Sequence, residues 1–228
     1  MCRFLSGLLF SDGEIYTDPE HTHSHEHLIA ARGLDDTSEC TLRPWIRFEF
    51  VPKGRYDEPE KYEFGVDEFQ PPHWFTDEMR EQTIGKLREL VQKHIVRNPN
   101  VKMLLGGWWI LVGDAAVRAA VNANILCMYD SSKVGVMNDS SKVGEMNNSS
   151  KVGVMNDSSK VERMNNSSKV EGMYGSSKVG VMNDSSKVER MNDSSKVGEM
   201  NNSSKVGVMN DSSKVGEMNN SSKVEGMY

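Results

Sequence analysis

Cysteine is scarce in this chain. Cys2, Cys40 and Cys127 are scattered through 228 positions. An odd, widely spaced set gives no disulfide framework and fits a reducing compartment. Long apolar runs are missing too, since no stretch approaches the ~18 uninterrupted apolar residues of a membrane-spanning helix. The first ten residues hold one arginine and a short apolar run broken by Ser6 and Gly7. They lack the length and cleavage site of a signal peptide. The expectation is a cytoplasmic protein with no membrane partner. An excess of positive charge is also absent: 27 Lys+Arg against 33 Asp+Glu leave a net −6. A basic nucleic-acid binder shows the opposite balance, so nucleic acid is not the expected partner.

The shortages are uneven. Beyond residue 129 there is no Trp, Phe, Pro or His. In their place stands a tandem repeat of nine residues, Ser-Ser-Lys-Val-x-x-Met-Asn-Asp/Asn, present in eleven copies from 131–134 to 221–224. A methionine follows each valine by three, from Met137 to Met227. The array carries eleven Lys and two Arg against thirteen acids, so it is neutral, and the first 129 residues hold the whole net charge. The ending Glu-Gly-Met-Tyr occurs at 171–174 and again at 225–228.

One repeat cannot bury its Val and Met alone, whereas stacked repeats can. Ser-Lys-Val suits a short strand with Lys outward and Val inward. Asn-Asp or Asn-Asn suits the corner, because both tolerate left-handed backbone angles. Stacked serines could bond along the axis, and stacked asparagines could form amide ladders. A helix fails: a nine-residue step turns it by about 180°, so the apolar stripe would change face at each repeat. Disorder would not need the strict apolar period. A calcium-binding nonapeptide roll would need glycines and a regular aspartate that are absent. The pattern predicts a β-solenoid with two repeats per coil, about 26 Å long at ~4.8 Å per coil. Ile125-x-x-Met128 lies nine residues before Val134-x-x-Met137, and Val117 and Val121 read as more degenerate rungs.

The expected fold class is mainly β, a small α+β N-terminal domain capping a C-terminal β-solenoid. The expected division is 1–112 for the α+β domain, 113–129 for degenerate first rungs and 130–228 for the array. Within the first part, Asp12-Gly13 predicts a hairpin turn. Ser24 and Gly33 predict the ends of a helix over 25–32. Ile46, Phe48 and Phe50 alternate with Arg47 and Glu49 as in a half-buried strand, and Tyr62, Phe64 and Val66 repeat the alternation. Thr76 predicts the cap of a helix over 77–96, with Met79, Ile84, Leu87, Val91 and Ile95 as its buried stripe.

The candidate chemistry is the run His21, His23, His25 and His27. On an extended backbone all four imidazoles share a face that a transition metal could use. On a helix the cluster dissolves, because residues two apart point roughly 200° apart. The glycines at 106–107 are followed by no Lys-Ser/Thr, so a nucleotide-binding loop is unsupported.

The tandem Ser-Ser-Lys-Val-Gly-x-Met array resembles those of uncharacterised phage and gut-bacterial proteins, which carry an N-terminal region of similar size before a nonapeptide array. Asp18-Pro19-Glu20, Ser24-His25-Glu26 and Leu105-Gly106-Gly107-Trp108 add to the resemblance. It implies a phage-like setting and a host factor as target, and it carries over no activity or site residue. The expected function is a non-enzymatic repeat scaffold with a protein partner, including a second copy stacked on the uncapped C-terminal coil. The alternatives are a metal-dependent enzyme using the histidine run, and a rod binding ice or polysaccharide.

Overall fold

A computed structural model describes residues 5–18, 24–36 and 42–228. The chain divides into two compact units, Met1–His94 and Ile95–Tyr228.

The first unit is built on an antiparallel sheet of order β2-β1-β3-β4. Its strands are β1 (Ser6–Phe10), β2 (Ile15–Thr17), β3 (Trp45–Pro52) and β4 (Tyr62–Val66). Gly13, at φ 85°, closes the β1–β2 hairpin, where Gly13 N–H donates to Phe10 O at 2.9 Å. Such an angle is open to glycine without a Cβ clash. Strand β3 places Ile46, Phe48 and Phe50 in the core, as the alternation requires. Phe48 stacks on Phe64 at 5.5 Å between ring centroids. Gly7 lies against the Phe48 ring, leaving no room for a side chain.

Two helices complete the unit. Helix α1 (His25–Ala31) buries Leu28 and Ile29 and ends at Gly33, φ 62°. Helix α2 (Asp77–Lys93) starts where Thr76 Oγ1 accepts the Met79 N–H at 3.2 Å. It buries Ile84, Leu87 and Val91. It stops three residues short of the expected end, because Ile95 and Val96 form the first strand of the second unit.

The second unit is a β-solenoid of two parallel sheets, each of eight strands. Its first five strands are β5 (Ile95–Val96), β6 (Val101–Leu105), β7 (Trp108–Leu111), β8 (Ala116–Val121) and β9 (Asn124–Met128). The array follows, from β10 (Lys133–Asn138) and β11 (Lys142–Met146) to β19 (Lys214–Met218) and β20 (Lys223–Met227). Even-numbered strands form one sheet and odd-numbered strands the other. Val134 pairs with Val152 and Met137 with Met155, a step of eighteen residues, so each coil takes two repeats. The core is columns of valine and methionine, fully buried from Val134 through Val206.

Val and Met lie three apart, yet both face inward, so the strand departs from a period of two. The bend falls at the residue after Val. There a Cβ on Gly135 would stand 2.5 Å from Arg118 O of the preceding coil. The corners are as regular as the core. Asp130, Asp139, Asn148, Asp157, Asn166 and their successors all have φ between 55° and 60°, and Gly175 takes the same position at 63°. Only Gly, Asn and Asp enter this region readily, which explains the invariant corner chemistry.

The solenoid reaches further back than residue 113. Val101 pairs with Val117 and Leu104 with Ala120. Val117 stands in the valine column as expected, and so does Ile125. Val121 does not continue the apolar columns. Ala120 pairs with Met137, and Val121 falls beside Asn138 at the corner. Steps of sixteen and seventeen residues in these first coils displace the pattern from the array's strict period.

Candidate functional site

The solenoid's outer surface is organised by the coil period. The asparagine after each Met forms two ladders. Asn156 donates to Asn138 at 3.0 Å in one, and Asn165, Asn183, Asn201 and Asn219 each donate to the residue eighteen before in the other. The serines behave differently. The second serine is buried from Ser132 to Ser204 and half-buried at Ser213 and Ser222, but apart from Ser141, which accepts the Ala123 N–H, the Oγ atoms of Ser150, Ser159, Ser168 and their equivalents have no hydrogen-bond partner among the described residues. The expected serine ladder therefore does not form. Stacked equivalents lie about 4.8 Å apart, beyond the ~2.8 Å reach of a hydroxyl pair. An amide spans the gap because its donor and acceptor are separate atoms.

Tyr174 interrupts one ladder. It occupies the rung between Asn156 and Asn192, and Asn192 Nδ2 is buried without a partner. Gly172 makes room for the tyrosine ring, since a Cβ there would meet the ring at 2.8 Å. Gly226 and Tyr228 repeat the arrangement, so the recurring Glu-Gly-Met-Tyr is one packing unit. We expect Tyr174→Asn to restore two amide bonds and to raise stability by about 1 kcal/mol after loss of the ring contact. A thermal melt reads the change. A lower midpoint would show that the ring packing outweighs the ladder.

A lysine precedes the inward Val of every array repeat, and acids at the two positions after that Val pair with some of them. Lys169 reaches Glu189 at 2.6 Å, and Arg163 reaches Glu145 one coil away at 2.7 Å. The Lys169 ammonium holds the Glu189 carboxyl below the usual carboxylate range, and Glu189 in turn raises Lys169. Both groups are largely solvated, so these pairs add little stability.

In the first unit the histidine run is not one extended face. His21 and His23 lie outside the described residues. His25 and His27 are on α1. His25 turns inward: Nε2 donates to Phe48 O at 2.9 Å, and Nδ1 lies 3.4 Å from Asp67 Oδ2. His27 is exposed on the helix, so the two do not converge on one point. Among the described residues no three His, Cys, Asp or Glu side chains gather as a metal site.

The first unit has instead a charged cluster that the sequence pattern did not single out. Arg47 grips Glu68 through Nε at 3.0 Å and Nη2 at 3.1 Å. Arg43 bonds Asp36 at 2.6 Å, lies 3.8 Å from Glu68 and covers the Trp45 ring at 4.8 Å. Trp74 Nε1 donates to Arg43 O at 2.8 Å. The Glu68 hydrogen bond raises the Arg47 pKa against the opposing effect of burial. The alternation of β3 placed Arg47 opposite the core, but its carboxylate partner comes from a loop twenty-one residues on. The cluster fixes aromatic and loop positions, and among the described residues it holds no nucleophile beside a base.

No family model, no curated protein and no solved structure matches this chain. No described helix is long and apolar enough to cross a membrane.

Proposed function

We propose that the protein is a non-enzymatic scaffold: a stiff repeat rod presents polar ladders and holds its protein partner by repeated contacts. The observation that carries the reading is the identity of the coils. The same Ser, Val and Met columns fill each one, so coils can be added or removed without rebuilding a core. Repetition of one weak contact raises overall affinity by avidity. In the phage-like setting that the resemblance of the array implies, the partner is a host factor.

A second copy of this chain is part of the proposal. Every array coil repeats the same valine and methionine columns, so a second copy offers the stacking surface that neighbouring coils already offer each other. We expect light scattering at micromolar concentration to give a dimer, and Val224→Lys with Met227→Lys to give a monomer with an unchanged strand spectrum. A monomeric parent protein would remove the self-association. A stoichiometric transition metal in untagged protein, lost on His21→Ala with His23→Ala, would replace the scaffold reading with the metal-dependent enzyme.

A further inference from the structure

The first three strands of the even-numbered sheet enclose a cleft of about 460 Å³, lined by Lys102, Arg118 and Lys133 over Ala116 and Gly135, with Pro99 at its rim. That volume suits a small organic ligand. The cleft exists because two repeat positions change identity there. Ala116 occupies the lysine column, paired with Lys133, and leaves the space a lysine would fill. The position after Val carries Glu171, Glu189 and Glu225 in the later strands β14 (Lys169–Met173), β16 (Lys187–Met191) and β20, and Gly153 and Gly207 in the even-numbered strands that precede β14 and β20. In the first strands the same position carries Lys102 in β6, Arg118 in β8 and Gly135 in β10.

The charge consequences follow along one face. In the later coils Lys169, Lys187 and Lys223 have carboxylates within 4 Å. Lys102, Arg118 and Lys133 have no ion pair among the described residues, and no carboxylate lines the cleft. Three unneutralised cations over a floor of small side chains are arranged for an anion. Arg118 offers a planar fork matched to phosphate oxygens, and the two lysines add point charges at its sides. Pro99 gives an apolar rim for the rest of the molecule.

We propose that this cleft binds a phosphorylated small molecule, its phosphate on Arg118 between Lys102 and Lys133 and its organic part against Pro99. The proposal is independent of the scaffold reading, and either can fail alone. The test is calorimetric titration of the full chain with ADP at low and physiological salt, with adenosine and inorganic phosphate as separate probes. The expected result is one ADP per chain, with inorganic phosphate weaker and adenosine weaker still. Arg118→Ala should weaken ADP binding about ten-fold or more, as loss of a charge-assisted contact does. Lys196→Ala, the same charge type on the opposite sheet, should leave it unchanged, and circular dichroism confirms that both variants fold. Three results would overturn the proposal: no ADP binding up to millimolar concentration, an equal loss in Lys196→Ala, or preference for oligonucleotides that grows with length and depends on Lys205.

Discussion

Replacing Val170 by Asp is expected to unfold the solenoid around its central coils. Val170 lies in the middle of the even-numbered sheet, with Val152 on one side and Val188 on the other, and all three are fully buried. A carboxylate there has no cation within the core, where every inward column is apolar or a small hydroxyl. Burying an unpaired charge costs several kcal/mol, comparable with the ~5–15 kcal/mol that holds a typical domain together. Stability in a solenoid is close to a sum over neighbouring repeats, so loss of one coil also removes a stacking partner from the coils on either side. The measurement is strand content by circular dichroism with temperature. The same substitution at Val224 is the internal control. Val224 is only partly buried, in the last coil, and its carboxylate can stay near water, so the loss should be small. A Val170→Asp protein that melts with the parent would contradict the columnar core.

The repeats were legible as a solenoid because every physical requirement of a coil appears in one nine-residue unit. Val and Met supply the inward columns, Asn and Asp supply the left-handed corner, and the step between equal residues is constant. Two details were not legible for the same reason: they depend on the spacing between coils rather than on the unit. A serine column looks like an asparagine column in sequence, yet only the amide bridges the interstrand distance. Where Val101, Val117 and Val134 follow at steps of sixteen and seventeen, the period that reveals the later coils is lost, and the Gly113 and Asn122 corners, at φ 67° and 50°, are too few to restore it. The cleft at Lys102, Arg118 and Lys133 was hidden with those coils. Once the register is known, a cation where the array has Gly or Glu is a visible departure.

Glu68→Ala is expected to cost the first unit about 3 kcal/mol, toward the low end of what breaking a buried ion pair costs. The first unit showed its strands and helices through alternation and caps, but the charged cluster depends on a tertiary contact. Only 3% of the Glu68 side chain is exposed, and it accepts both hydrogen bonds of the Arg47 fork. Its removal takes a carboxylate from between the guanidinium of Arg43, itself 8% exposed, and that of Arg47, both of which also reach Asp36. Asp36 and the partial solvation of Arg47 keep the cost from the upper end of the range. Glu68→Gln should cost less, because the amide oxygen still accepts from Arg47. Hydrogen exchange separates this loss from a general one: amides of β3 and β4 should lose protection in Glu68→Ala, while those of the coils between Val134 and Met209 keep theirs. Unchanged protection in β3 would mean that the aromatic core of Phe48, Phe50 and Phe64 holds the sheet without the ion cluster, and Glu68 would then be free to serve a ligand rather than the fold.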